Sequence, residues 1–555
     1  MTQRKKRILM SGEASYLLTG FGTYQKALLS RLHDTGKYEI AELATYGTIE
    51  DPKSKDIPWK YYANAVDPTD PRHEELMSHS LNQFGQWRFD RVLLDFKSDI
   101  VIDIRDPWML SYEQRSVFRD FFHHIIMPTV DSSPQQDEWL ELFMDADAVF
   151  TYSDWNKKVL EREGHGRIKL KGVASPGVDL DLFKPVADKK QSKIDLGLDP
   201  DTNIIGTVMR NQQRKLFPDL LHAFRKFLDM CVEKGKKDIA DKTYLYIHTS
   251  YPDIGWNFSE LLKETGLGHK IFFTYICKMC KRSFCSFFQD ARTVCPHCNS
   301  VAGVLPSTNE GLELEQMPPM YNLFDVYVQY SICEGFGLGQ SEAASCSVPI
   351  MSVDYSAMED VVRNVKGFPL KVKKMFRECD THSYRAMPDN DFLANSLYTY
   401  FTQNDEYRAR KGKQARQGAE KYYDWDKTAK VWERYIDSVD LETIPCKWDS
   451  TPMRQFSLPA AIPENLTNEQ FVEWLMTEVY HRPHKINSYH AMRLLRDLNY
   501  GATKNGKKWE PISREKLFDM AAKTMRGHNE ADQGRCGVRQ LIGGDYLDYA
   551  NRKEQ

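Results

Sequence analysis

The chain has 555 residues, with 75 Lys and Arg against 78 Asp and Glu and a formal net charge of −3. That length excludes a small module and leaves room for two α/β domains of about 200 residues each with sequence to spare. So even a balance excludes any global pull toward nucleic acid or a membrane surface, and such a partner would have to be met by a local patch.

In chain order, Arg4-Lys5-Lys6-Arg7 gives way at once to a buried strand pattern, Arg7-Ile8-Leu9-Met10. With no apolar run of about 18 residues in the chain, this predicts a soluble, intracellular protein without a membrane span or a cleavable leader. Leu18-Thr19-Gly20-Phe21-Gly22-Thr23-Tyr24 reads as a glycine loop opening a helix. Ile125 to Pro134 is a further strand and turn that carries Asp131, and Asp145 to Ser153 with Ser175 to Asp179 reads as a strand followed by a loop.

A strand at Ile204 to Met209 leads into Arg210-Asn211-Gln212-Gln213-Arg214-Lys215 and then a helix with apolar Leu216, Leu220, Leu221 and Phe224. A solvated basic turn would explain the cations if they stood alone. Placed between strand and helix, Arg210 suits forked contact with two phosphate oxygens and Lys215 a point charge. A phosphate on which negative charge builds during a reaction needs that charge balanced. Fixed cations stabilise that charge, so no catalytic divalent metal is expected.

After a strand at Lys270 to Tyr275 come Cys277-Lys278-Met279-Cys280 and Cys295-Pro296-His297-Cys298, two C-x-x-C pairs with 14 residues between them. This is the spacing of a zinc ribbon whose knuckles close on one tetrahedral ion, so Cys277, Cys280, Cys295 and Cys298 are the expected ligands of a structural zinc. Cys285 and His297 are spare ligand types. Lys278, Lys281, Arg282 and Arg292, interleaved with Phe284, Phe287 and Phe288, suit nucleic acid. Equally, the cations could balance the thiolates and the rings form the ribbon's small core.

Met320 to Asp325 reads as a helix and Val326-Tyr327-Val328 as a strand, followed by Ser331-Ile332-Cys333-Glu334-Gly335-Phe336-Gly337-Leu338-Gly339-Gln340-Ser341-Glu342. A strand, a glycine turn and a helix start aim backbone N–H groups and the positive end of a helix dipole at one point, which suits a phosphate. Glu334 and Glu342 flank that point and can accept hydrogen bonds from hydroxyls, so a nucleotide sugar fits better than a nucleotide alone. Tyr423 to Asp426 then starts a helix through Trp432 and Tyr435, the proline-studded 444–463 stretch reads as a linker, and helical patterns begin near Leu466, Ser488 and Ser513. From Arg482 to Arg539 there are 13 Lys and Arg against six Asp and Glu. Such a patch suits either nucleic acid or an ordinary solvated face.

These segments, in this order, resemble family 4 of the glycosyltransferases, retaining enzymes with two Rossmann-like domains facing across a cleft (GT-B). The resemblance implies that Glu334 contacts the donor sugar and Glu342 the ribose. It implies that the backbone of Gly335, Phe336, Gly337 and Leu338 faces the sugar and distal phosphate, and that Arg210 and Lys215 hold the diphosphate beneath the loop of Gly20 and Gly22. Asp131 stands where the family usually has a histidine near the donor sugar. It is a candidate catalytic residue that could position a sugar hydroxyl, help deprotonate the acceptor, or cap the turn. Ser347 replaces a usual glycine.

The resulting layout is an acceptor-side domain over 1–185, a nucleotide-sugar domain over 186–443 with the ribbon inserted at 275–303, a linker over 444–463, and a helical, locally basic extension over 464–555. The ribbon beside the cleft and the basic tail favour a hydroxymethylated base in DNA as acceptor. A surface glycan or protein acceptor is the alternative enzyme reading, and an inactive nucleic-acid-binding scaffold the alternative of another class.

Overall fold

The protein is described by a computed structural model covering residues 4–195, 198–307, 310–448, 459–479, 489–501, 503–504, 507–508 and 510–522. Two parallel sheets dominate. The first contains β1 (Lys6–Glu13), β2 (Tyr38–Thr45), β3 (Lys60–Ala63), β4 (Ile100–Asp103), β5 (His123–Ile126), β6 (Ala148–Thr151) and β7 (Leu170–Val173), in the order β3-β2-β1-β4-β5-β6-β7. Every neighbouring pair is parallel. Ile8, Leu9, Met10, Ile100, Val101 and Ile102 are wholly buried, as continuous apolar strands covered on both faces must be.

The second sheet contains β8 (Asn203–Val208), β9 (Thr243–His248), β10 (Ile271–Cys277), β11 (Ser283–Phe287), β12 (Gly303–Val304), β13 (Val326–Gln329), β14 (Ile350–Val353) and β15 (Phe368–Leu370). Its parallel core runs β10-β9-β8-β13-β14-β15, and β11 and β12 add to β10 in antiparallel fashion. Strand order reverses beside β1 in the first sheet and beside β8 in the second. Ligands of doubly wound sheets bind outside the carboxyl ends at such reversals. The loops there follow β1, β4, β8 and β13, and they carry Gly20, Asp106, Arg210 to Lys215, and Glu334.

The two halves are joined twice. Val178 N donates to Tyr423 O at 2.9 Å, and Val178 and Asp424 form a parallel bridge. The helix Trp425–Ser438, capped by Asp424, then packs on the helix Gly20–Asp34 of the first half. Trp432 is wholly buried, donates Nε1–H to Tyr24 Oη at 2.8 Å and packs at a tilt on Phe150 with ring centroids 4.4 Å apart. The anchorage continues into the expected linker, where Trp448 is buried against Phe118 and Phe121 and donates Nε1–H to Ser98 O at 2.8 Å. Residues 449–458 of that stretch lie outside the described ones.

In the extension, the helix Asn468–Trp474 starts with a reciprocal capping box between Thr467 and Gln470, and the helix Tyr489–Tyr500 packs against it. Phe471, Leu475, Leu494, Leu498 and Leu517 form its small core. Within the basic 482–539 stretch, residues 482–488, 502, 505–506, 509 and 523–539 lie outside the described residues. Among the described residues, no helix is long and apolar enough to cross a membrane.

Candidate active site

Glu334 is the centre of the cleft. It is 4% exposed and follows β13 in a loop laced to the loop after β8: Ile332 N donates to Arg214 O at 3.0 Å, Leu216 N to Tyr330 O at 3.0 Å, and Lys215 and Ser331 form an antiparallel bridge. This lacing presents two cations to one carboxylate. Oε1 of Glu334 accepts from Lys215 Nζ, from Gln329 Nε2 at 2.7 Å and from Ser331 Oγ at 2.7 Å, while Oε2 accepts from Arg214 Nη1 at 2.8 Å. Burial would raise the Glu334 carboxyl, but Lys215 and Arg214 overcome it and hold the group down to about 2. Burial and the neighbouring Arg214 pull Lys215 down to about 8 against the attraction of Glu334.

Arg214 was not singled out from the sequence. It is the second cation on Glu334, whereas Arg210 stands half exposed in the same loop and forks Asp253 at 2.8 and 3.1 Å. Trp256 steadies the loop, donating Nε1–H to Lys215 O at 2.7 Å.

The glycine turn after Glu334 has a steric logic. Gly337 has φ +86°, a conformation that glycine adopts without strain, and caps the helix Leu338–Ser345. A Cβ on Gly335 would lie 2.6 Å from Thr129 Cγ2, so only glycine lets the turn meet the loop after β5. The Phe336 side chain is core, edge-on to Tyr423 at 5.3 Å, which leaves its backbone at the turn. Glu342 lies one face down the helix, accepting from Tyr321 Oη at 2.5 Å, and burial raises its carboxyl.

Across the cleft, Gly20 faces Leu338, whose Cδ1 would be 3.7 Å from an added Cβ. Gly22 is enclosed by the Leu17 and Ala14 carbonyls. The predicted glycine loop and glutamate turn are thus brought together, with Thr19 capping the helix and bonded to Glu13.

Asp131 is not a free carboxylate. Arg385 of the hairpin β16 (Val372–Arg377) and β17 (Tyr384–Pro388) donates Nη1–H to its Oδ1 at 2.7 Å, and the Cys333 thiol donates to its Oδ2 at 3.2 Å. Burial raises Asp131, and Arg385 outweighs it and leaves the carboxyl below its usual range. The same hairpin bonds to the loop again through Tyr384 N to Ser133 O at 2.9 Å and Ser383 Oγ to Pro134 O at 2.6 Å. Asp131 thereby forms an ion pair between the two halves, in addition to the three roles left open for it.

A second carboxylate was missed. Asp106, three residues beyond β4, lies beside Thr129 within electrostatic reach of Asp131, Arg214 and Glu13. Burial pushes its carboxyl up to about 6, with Asp131 and Glu13 adding to the effect and Thr129 and Arg214 opposing it. In sequence it is one acid in Asp103-Ile104-Arg105-Asp106-Pro107, and nothing there marks it out. Asp103 and Arg105 are wholly buried and paired beneath it.

The four cysteines meet. Cys277 and Cys298 Sγ are 3.6 Å apart, Cys280 and Cys295 Sγ 3.7 Å, and all four sulfurs lie within 4.8 Å of one another. A tetrahedral ion with Zn–S bonds near 2.3 Å needs S···S separations of about 3.8 Å, so the set fits a metal such as zinc. Cys285 lies in β11 opposite Thr274, and the His297 ring is bonded to Ser283 O at 3.2 Å, outside this group. Phe284 stacks on Tyr275 and Phe287 on Phe272, while Phe288 packs on Tyr251 and Phe273. These rings dock the module to the sheet edge. Lys278 pairs with Glu310, while Arg282 and Arg292 are exposed.

No protein-family model matches the chain, and no curated protein does. Solved structures do. Sucrose-phosphate synthase from Thermosynechococcus elongatus aligns over 79% of this chain and 100% of its own with TM-score 0.56 at 17% identity. A glycosyltransferase from Rickettsia africae aligns over 78% and 99% with TM-score 0.54 at 14% identity. HepE from Anabaena, solved in complex with UDP-glucose, aligns over 78% and 100% with TM-score 0.54 at 14% identity. The fold is GT-B. Its two parallel-sheet domains carry the four-cysteine module as an insertion and the C-terminal helices as an extension.

Proposed function

We propose that the protein is a retaining glycosyltransferase that moves a sugar from a nucleoside-diphosphate sugar to a hydroxymethylated base in DNA. The observation that carries the transferase reading is the convergence of Arg214, Lys215 and Glu334 at the head of the helix Leu338–Ser345, between two facing sheets at their strand-order reversals. Two fixed cations and the first turn of a helix await a diphosphate, and they stabilise the charge that develops on it without reorganising. Glu334, held ionised, accepts hydrogen bonds from donor-sugar hydroxyls, Glu342 serves the ribose, and Arg210 adds a cation at the mouth. Retention rests on the resemblance of the Glu334 to Glu342 segment. The donor class is supported by UDP-glucose in the similarly folded Anabaena protein.

For the acceptor, Lys281, Arg282 and Arg292 are exposed on the four-cysteine module. The module is tied to the cleft margin, since Gln316 Nε2 donates to Lys281 O at 3.1 Å and Lys53 of the first half pairs with Glu313 at 3.3 Å. A polyanion following that margin would meet these cations before its base reached the cleft. Structural zinc is the metal proposed for the module. The test is a panel of nucleotide sugars scored by thermal shift and hydrolysis, beside label transfer to duplexes with and without hydroxymethylated pyrimidines. Label on modified duplexes alone is the expected result. Donor hydrolysis without DNA labelling would move the acceptor to a glycan or protein, and the absence of any donor binding would end the transferase reading.

A further inference from the structure

We propose that Asp106, rather than Asp131, is the acceptor-side carboxylate of the cleft. The inference rests on the transferase reading. In it, Asp106 accepts a hydrogen bond from the acceptor hydroxyl and takes its proton. As the acceptor oxygen bonds to the anomeric carbon on the face from which the phosphate departs, as retention requires, the bond from that carbon to the distal phosphate breaks, and its electron pair leaves with the nucleoside diphosphate.

Three features of the structure point there. The first is position: Asp106 follows β4, one of the two strands flanking the reversal in the first sheet, and lies beside Thr129, whose methyl abuts Gly335 of the Glu334 turn. It therefore looks across the cleft from the first half. The second is availability. Asp131 is engaged by Arg385 and Cys333, whereas among the described residues Asp106 has no ion pair. The third is its surroundings, since Trp108, two residues on, and Tyr46, coupled electrostatically to Asp106, are each about half exposed. Two aromatic faces beside a carboxylate suit a flat base or the apolar face of a sugar.

The groups facing Asp106 are Glu13 from the end of β1, Tyr46 beyond β2, Asp131 from the loop after β5, Tyr152 beyond β6, and Arg214 from the second half. Burial and the two acids outweigh Arg214, so the carboxyl titrates near the pH at which a general base works best.

The experiment compares full-length wild type with Asp106→Asn, Asp106→Glu and Asp131→Asn. It uses the nucleotide sugar selected by the donor panel, with hydroxymethylated duplex DNA, and with water as acceptor in donor hydrolysis. Asp106→Asn is expected to lower kcat at least 100-fold for both acceptors while leaving donor Kd within about threefold, and to abolish an acid limb near pH 6 that Asp106→Glu retains. Wild-type rates in Asp106→Asn, or an acid limb that persists in it, would overturn the assignment. So would the larger kcat loss falling on Asp131→Asn with donor binding intact.

A second readout needs no turnover. A carboxyl raised in the folded state destabilises it increasingly as pH climbs from the unfolded value of about 4 through about 6. Asp106→Asn is therefore expected to raise Tm at pH 8 and to raise it less at pH 4.5. An equal shift at both pH values would overturn the proposal. Wild type inert toward every donor would sink the transferase reading itself, while an active wild type with an indifferent Asp106→Asn would sink this inference alone.

Discussion

Removing Glu334 and removing Lys215 should have unequal consequences, although they are partners in one buried pair. The Glu334 carboxyl is held down to about 2 from its ordinary 4.5, which at about 1.36 kcal/mol per factor of ten corresponds to about 3 kcal/mol of stabilisation at neutral pH. Lys215 is displaced by a similar amount in the unfavourable direction, because burial and Arg214 outweigh Glu334. Glu334→Gln leaves buried Lys215 beside the half-buried Arg214 with no anion between them and should destabilise the protein by about 3 kcal/mol at pH 7. Lys215→Met removes one of two competing cations, leaves Arg214 on Glu334 and should change stability by less than about 1 kcal/mol. Urea denaturation measures both. A depressed acid stabilises above its unfolded value and loses that contribution as pH falls toward the folded one, so the gap between wild type and Glu334→Gln should shrink to about 1 kcal/mol at pH 3. For Lys215, the penalty is present below about 8 and lifts as pH rises toward 10.5, so wild type should gain on Lys215→Met over that interval. Equal losses for the two variants at pH 7 would refute this account of the pair. Both variants should lose transfer, since the charge pair is needed at the diphosphate whatever its effect on folding.

Three further outcomes are expected. Arg385→Met should destabilise by about 3 kcal/mol, and a double-mutant cycle with Asp131→Asn should return a coupling above about 1 kcal/mol; additivity in urea melts would dissolve the ion pair between the halves. Gly177→Ala should be among the most damaging small substitutions, because a Cβ there would lie 2.3 Å from the Trp425 backbone N, and a melting temperature within about 2 °C of wild type would count against that close approach. One equivalent of zinc should be found by elemental analysis, lost in Cys280→Ser/Cys298→Ser with a fall in Tm, and a chain purified with no bound metal and full stability would remove zinc from the account.

Much of the architecture was legible because parallel strands are written as short, wholly apolar runs. Ile8 to Met10, Ile204 to Val208 and Val326 to Val328 all lie in strands, and the glycines at 20, 335 and 337 mark the turns that approach one another. The capping box at Thr467 and Gln470 and the two cysteine pairs were equally plain, being fixed-spacing chemistry. What could not be read depends on partners distant in the chain. Arg385 is 254 residues from Asp131, so no local pattern could foretell that the aspartate is paired with a cation. Arg214 sits in a polar run where only the bridge between Lys215 and Ser331 decides which side chain turns inward. The Asp106 carboxyl is raised by burial and by Asp131 and Glu13, which are distant in the chain. The ribbon phenylalanines illustrate the same limit, since the mixture of rings and cations suited nucleic acid until the sheet edge supplied the rings with other neighbours. Trp448 likewise turned the start of an expected tether into a docked segment.

The paired crossing at Val178 and Asp424 has a mechanical meaning. Two threads that pass between lobes side by side, bonded to each other, act as a door hung on one edge. A swing of the lobes about that edge would leave the bond between the threads intact, whereas sliding or twisting would tear it. The halves are also joined by two charge pairs of different kinds, Lys53 with Glu313 in the open and Asp131 with Arg385 largely shielded. The first is weakened by salt and the second much less so. Ionic strength therefore acts on the outer catch of the door while the inner one keeps its alignment.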